Sequence, residues 1–181
     1  VIDLGLKHSM LRELSLRKVN VTVLPYNANP VDVENLRPDG IIISNGPGEP
    51  DEVLSVLSPI LNKFYKKLPI LGIGLGFLAI SQYLKLELVK LPQSFNGINY
   101  PVIEQNSDKI WQTSMDIDQL ILQDSVKFNM NQEFFDLHTE LLAGYTIEED
   151  RVIATAFNPE GAPGSLDAME VFDHFLKMME K

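Results

Sequence analysis

The chain has 181 residues, of which 45% are hydrophobic and 22% charged, and its formal net charge is −10. No apolar run reaches the ~20 residues that a membrane span requires, and the acidic excess argues against nucleic-acid binding by phosphate neutralisation. Because the chain contains no cysteine, disulfides, thiolate metal sites and a cysteine nucleophile are excluded. A cytoplasmic location is expected.

The first half of the chain alternates strand and helix patterns. Short apolar or β-branched runs predict strands at 1–4, 20–24, 40–44 and 69–74. Amphipathic segments predict helices at 8–17, 29–36 and 75–84, and another that begins near Asp51 and runs through Phe64. Continuous apolar strands separated by helices imply a parallel sheet that is covered on both faces. We therefore predict a three-layer, flavodoxin-like α/β fold with a mostly parallel sheet.

The second half of the chain is dominated by short strand patterns and turn signals. Strands are predicted at 86–91, 95–104, 109–113, 125–130 and within 145–157, and a final helix at 166–179. We expect these strands to be antiparallel additions on one side of the sheet. Since no internal repeat or linker is visible, a single domain over 1–181 is expected.

Two glycine-rich loops follow buried strands, "SNGPGEP" at 44–50 and "GIGLG" at 72–76. Ligands of open parallel sheets bind beyond the carboxyl ends of the strands, where such loops lie. The second loop does not complete a dinucleotide fingerprint, because Phe77 stands where G-x-G-x-x-G requires its third glycine. No cofactor is expected. His8, His138 and His174 share no metal-ligand spacing, so no metal site is expected either.

Four segments resemble class I glutamine amidotransferase domains in their order and spacing: residues 1–14, 40–52, 69–77 and 158–180. The opening segment, with Lys7 and "LREL", and the segment "NPEGAPGS" most resemble the small, glutamine-hydrolysing subunit of carbamoyl phosphate synthetase. That subunit normally carries a further N-terminal domain, and this chain also lacks an initiator Met. We therefore expect the sequence to be a piece of a longer protein.

The resemblance implies a definite chemistry. In the family a cysteine on a strand-to-helix elbow attacks the carboxamide carbon of glutamine, a histidine activates it and a glutamate orients the histidine. Backbone N–H groups hold the oxyanion, and ammonia passes to a synthetase subunit. In this chain the nucleophile position is Gly74, the base position is Asn158, and the orienting acid is Glu160.

The substrate-binding positions can be carried over in the same way. The oxyanion loop corresponds to Gly46 and Gly48, together with the backbone of Leu75. The glutamine residue with which the family contacts its substrate corresponds to Leu78 in this chain. The segment that grips substrate corresponds to 111–115, which brings in Thr113 and Met115. Trp111 itself can be a core or an interface residue.

Three functions follow from this pattern. The first is a partner without glutaminase activity that docks on a carbamoyl phosphate synthetase large subunit or a fused synthetase domain, in arginine or pyrimidine biosynthesis. The second is an active glutamine-hydrolysing subunit with a substitute nucleophile, for which the candidates are Ser44, Ser81, Ser114 and Thr155. The third is a small-molecule sensor, with glutamine as one candidate ligand, that uses a pocket between 44–50 and 72–78.

Overall fold

The computed structural model describes residues 1–126 and 129–180. Its helices are α1 (His8–Leu16), α2 (Pro30–Asn35), α3 (Pro50–Phe64), α4 (Leu75–Tyr83) and α5 (Glu170–Met179). The strands are β1 (Ile2–Asp3), β2 (Leu24–Pro25), β3 (Ile41–Ile43), β4 (Ile70–Ile73), β5 (Leu88–Glu104), β6 (Lys109–Ile121), β7 (Gln132–Asp136), β8 (Leu142–Ile147) and β9 (Val152–Thr155).

Within these residues the strands form one sheet in the order β2-β1-β3-β4-β9-β8-β6-β5-β7. The first five run parallel to one another, and from β9 onward each pairing is antiparallel. The parallel strands are buried on both faces, as β3 and β4 illustrate. The predicted α/β fold is confirmed.

The helices lie on both faces of the parallel half. The chain runs from β1 to β2 and then back across β1 to β3, so right-handed crossovers place α1 and α2 on opposite faces. Helices α2, α3 and α4 contact one another in turn. On the other face, Arg17 at the end of α1 pairs with Asp173 of α5 at 2.6 Å. Because β1, β3, β4 and β9 run parallel to one another, their carboxyl ends lie at the same edge of the sheet.

Several predicted boundaries need correction. The strand expected at 20–24 is reduced to Leu24–Pro25, and the last helix begins with a 3₁₀ turn before Glu170. The strands expected at 86–91 and 95–104 are parts of one strand, β5, which bulges between Lys90 and Phe95. The strand predicted at 125–130 contains residues 127 and 128, which lie outside the described residues.

The largest correction concerns β9. The sequence suggested that 145–157 is an antiparallel addition, and its two strands, β8 and β9, do pair antiparallel. However, β9 also pairs parallel with β4 along its whole length, from Val152 opposite Ile70 to Thr155 opposite Ile73. It is therefore the fifth parallel strand, and its carboxyl end lies beside the end of β4.

Candidate functional site

The turn between β4 and α4 has the backbone of a sharp elbow. Gly74 has φ 56° and ψ −112°, a left-handed conformation that glycine adopts far more readily than other residues. Its N–H donates to the carbonyl of Thr155 at 2.8 Å, and its carbonyl accepts from the N–H of Leu78 at 3.1 Å. The elbow is thus fixed to β9 on one side and to the first turn of α4 on the other.

Asn45 links the elbow to the predicted base position. It follows β3, and its Nδ2 donates to Oδ1 of Asn158, which follows β9, at 2.8 Å. A Cβ atom placed on Gly74 would lie 3.0 Å from Cβ of Asn45. The Asn45 and Asn158 side chains are both buried. Asn45 is not among the site residues predicted from the sequence, although it lies within the "SNGPGEP" loop.

The loop after β3 is held tightly against the loop after β1. A Cβ atom on Gly46 would lie 1.9 Å from the carbonyl oxygen of Leu4, and one on Gly5 would lie 2.8 Å from Cδ of Pro47. Gly48 faces the elbow, because its added Cβ would lie 3.5 Å from Cδ2 of Leu75. Glycine at 46 is therefore required by the close approach of two backbones.

Glu160 is buried, with only 2% of the residue exposed. Within residues 1–126 and 129–180, neither of its carboxyl oxygens is hydrogen-bonded to another residue. Burial raises the pKa of the Glu160 carboxyl, while its own backbone N–H and the charge of Lys7 lower it and the charge of Glu13 raises it. In the family pattern this acid orients a histidine, and here the corresponding position is Asn158, whose Oδ1 is bonded to Asn45.

The segment of β6 that was predicted to grip substrate lies beside the base position. The N–H of Asn158 donates to the carbonyl of Ser114 at 2.9 Å, and Met115 forms a β-bridge with Phe157. Thr113 donates its hydroxyl to the carbonyl of Tyr100 at 2.6 Å. The structure therefore brings this segment together with the residues that follow β9.

Four of the predicted substrate-binding positions are closed to solvent. Leu75, Leu78, Thr113 and Met115 are each no more than 4% exposed. Gly46 is partly exposed, and Gly48 is exposed at the surface of its loop. Trp111, which the sequence left between core and interface, is a core residue that packs on Phe134 with ring centroids 4.8 Å apart.

Neither a metal centre nor a membrane span is visible in residues 1–126 and 129–180. No group of three or more His, Asp or Glu side chains in this part of the chain is placed to hold a metal ion. No helix there is both long and apolar enough to cross a membrane.

The sequence matches the model of the family "Glutamine amidotransferase class-I" over residues 1–178. The chain belongs to this family. The expected resemblance is therefore confirmed, and the chain is a glutamine amidotransferase domain. Both the glycine elbow after β4 and the glycine loop after β3 fall within the matched residues.

The domain is also similar to carbamoyl phosphate synthase small chains. It is 31% identical to that of Lactococcus lactis over 180 residues and 34% identical to that of Streptococcus mutans over 184 residues. It is 34% identical to the pyrimidine-specific small chain of Lactiplantibacillus plantarum. In each case the alignment covers 99% of this chain and 49–50% of the relative, so the chain spans about half the length of these relatives.

Solved structures support the fold. A protein from Thermoplasma acidophilum described as a putative GMP synthase subunit superimposes with a TM-score of 0.82 at 19% identity, covering 99% of this chain and 92% of that one. A glutamine amidotransferase from Methylobacillus flagellatus gives a TM-score of 0.61 at 13% identity, covering 86% and 68%. At such low identity these structures bear on the fold alone.

Proposed function

We propose that this glutamine amidotransferase domain does not hydrolyse glutamine and serves as a structural or regulatory partner of an ammonia-using carbamoyl phosphate synthetase. The partner is a large subunit or a fused synthetase domain. The observation that carries the proposal is the residue pair at the two predicted catalytic positions: Gly74 has no side chain, and the amide of Asn158 accepts a hydrogen bond from Asn45. A Cβ on Gly74 would also lie 3.0 Å from Cβ of Asn45, so Asn45 would crowd a side chain placed at the elbow.

The chemistry of the two positions supports this proposal. Gly74 has no nucleophilic atom, and the amide of Asn158 does not accept a proton near neutral pH. Removing members of a catalytic triad lowers turnover by about 10⁴–10⁶-fold. Here both the nucleophile and the base are replaced, so only backbone oxyanion donors and binding contacts could contribute.

The burial of the predicted substrate positions argues further that glutamine is not bound. A glutamine side chain beside the elbow would need space next to Leu75, Leu78 and Met115, and these residues are 4%, 3% and 1% exposed. Opening such a space would expose apolar side chains that are now buried, which costs free energy.

An active enzyme with a substitute nucleophile is not supported by the hydroxyl groups around the site. The hydroxyl of Ser44 donates to the carbonyl of Asn45, that of Ser81 to Phe77 and that of Thr155 to Phe157. Ser114 is 4% exposed, and no hydrogen bond from a histidine reaches its oxygen in the described residues. Each of these hydroxyls therefore lacks the adjacent base that a serine or threonine nucleophile requires.

The proposal is tested by combining the purified domain, in its full-length chain, with the large synthetase subunit of the same organism. Carbamoyl phosphate formation is measured with ammonium chloride and with glutamine as the nitrogen source. We expect synthesis with ammonium and none above background with glutamine. Glutamine-dependent synthesis at a rate comparable to the ammonium rate would refute the proposal, and a failure of the two proteins to associate would refute the partner role.

Gly74→Cys alone is expected to release no ammonia from glutamine. The new thiol would sit at the start of α4, where the helix N-terminus favours a thiolate, but Asn158 offers no base and Asn45 lies 3.0 Å from the new Cβ. Ammonia release and labelling by an electrophilic glutamine analogue are measured. Gly74→Ala serves as the control for backbone strain. Turnover by Gly74→Cys would show that another group acts as the base.

A further inference from the structure

A cavity lies at the same edge of the sheet as the predicted catalytic positions, but it does not include them. It has a volume of about 480 Å³ and is bounded by the residues at or after the carboxyl ends of β1, β2 and β3 and by the first two turns of α3. Asp3 ends β1 and Leu4 follows it, Tyr26 follows β2, and Pro47 and Gly48 lie in the loop after β3. Gly74, Asn158 and Glu160 do not line it.

The position of this cavity in the fold is one where ligands are generally bound. The chain passes from β1 outward to β2 and then back across β1 to β3, so the strand order reverses at β1. Open parallel sheets bind ligands outside the carboxyl ends of their strands at such a reversal. The volume also falls within the roughly 300–1,000 Å³ of ordinary small-molecule sites.

The lining has a specific chemistry. Most of the wall is apolar, formed by Leu4, Pro47, Val53 and Val56 and by the ring of Tyr26, which is 54% exposed. The exposed ring of Tyr26 therefore offers an aromatic face to a ligand in the cavity.

The charged groups of the cavity are both acidic. They are Asp3 and Glu52, and among the described residues no Lys, Arg or His lines the cavity. Asp3 is oriented by its own turn, since its Oδ1 accepts from the N–H groups of Gly5 and Leu6 at 2.8 and 2.9 Å. The N-terminus of α3 carries about half a positive charge, which opposes the negative potential of these carboxylates. Asp51 and Glu52 in the first turn of α3 outweigh it.

We propose that this cavity binds a small organic cation, an amine or guanidinium group carried on an apolar body. The apolar body packs on Leu4, Val53 and Val56, while the cation lies between the two carboxylates and the face of Tyr26. The site does not include the predicted catalytic positions. Gly48, a predicted substrate-binding position, borders both sites, because its added Cβ would be 3.5 Å from Leu75 and 3.7 Å from Val53.

The probes for this proposal are benzylammonium and benzoate, which share a ring and differ in the sign of their charge. Each is titrated into the ¹⁵N-labelled chain, and amide shifts are followed by NMR. We expect saturable shifts at Asp3, Tyr26, Gly48 and Val53 with benzylammonium, and binding of benzoate weaker by about tenfold or more. Equal binding of the two probes, or no saturable shift with benzylammonium, would overturn the proposal.

Variants separate this site from general attraction to an acidic protein. Val53→Trp is expected to fill the cavity and abolish the shifts, and Glu52→Gln to weaken benzylammonium binding several-fold. Glu49→Gln removes a neighbouring acid that does not line the cavity and should leave the affinity unchanged. The amide spectrum of each variant reports whether it is folded. Binding that survives in Val53→Trp, or that weakens equally in Glu49→Gln and Glu52→Gln, would contradict the assigned site.

Discussion

Gly46→Ala is expected to lower the free energy of unfolding by about 3 kcal/mol or more, the upper range for overpacking a closely packed position. The added Cβ would lie 1.9 Å from the carbonyl oxygen and 2.3 Å from the carbonyl carbon of Leu4. Both are backbone atoms, so no side-chain rotation can relieve the contact. Either the loop after β3 or the loop after β1 must move, and urea denaturation of the variant measures the cost.

Gly97→Ala is the matched control for this prediction. Gly97 lies in β5, and its added Cβ would lie 3.6 Å from the ring and 3.9 Å from the hydroxyl of Tyr100. Both are ordinary contacts, so we expect a change within about 1 kcal/mol. If Gly46→Ala were as stable as Gly97→Ala, the close approach of the two loops would not exist in solution.

The parallel half of the fold could be predicted because its local and global signals agree. Buried strands β3 and β4 are continuous apolar runs bounded by Pro or Gly, and α3 carries an apolar stripe that includes Leu57, Ile60 and Phe64. Patterns of this kind depend on sequence neighbours alone. The strand whose predicted position moved most in this half is β2, which was expected at 20–24 and is observed at Leu24–Pro25. It lies at the edge of the sheet, so only one neighbouring strand supports its pairing.

The antiparallel half was predicted less well because its pairing is determined by contacts distant in sequence. β7 was missed, although it pairs with both β5 and β8. β9 pairs with β4, about 80 residues earlier in the chain. A short apolar run such as Val152–Thr155 reads the same in a hairpin or in a parallel sheet. Which strand pairs with β9 on the side away from β8 depends on tertiary packing, and the local sequence pattern carries no information about it.

The candidate site, too, could be predicted from the sequence only in part. Motif matching identified Gly74, Asn158 and Glu160 as related positions, and the structure brings the carboxyl ends of β4 and β9 side by side. The hydrogen bond from Asn45 to Asn158 could not be predicted, since it joins residues 113 positions apart and depends on the direction of two side chains. It also takes the packed structure to show that no other residue of the described part of the chain donates a hydrogen bond to the Glu160 carboxyl.

Glu160→Gln is expected to stabilise the protein near neutral pH, by an amount that grows with pH. Burial raises the pKa of the Glu160 carboxyl above its ordinary value of 4.5. The folded state therefore keeps a proton that the unfolded chain releases, and the stability of the unmodified protein falls as pH rises through this window. Within this window the free energy of unfolding falls by about 1.4 kcal/mol per pH unit. Once pH exceeds the pKa of the folded state, the free energy of unfolding falls no further on account of this group. Glutamine at this position has no such proton to lose.

The gain from Glu160→Gln should therefore vanish below about pH 4, where both states of the glutamate are protonated, and should level off at higher pH. Lys7 and Glu13 of the α1 region act on this carboxyl with opposite signs, so neither changes the direction of the effect, which burial dominates. Urea denaturation from acidic to neutral pH gives the profile, and Glu140→Gln at an exposed position is the control. A glutamine variant that became less stable than the parent as pH rises would mean that the ionised carboxylate has a partner, and the assignment of Glu160 as an isolated buried acid would be wrong.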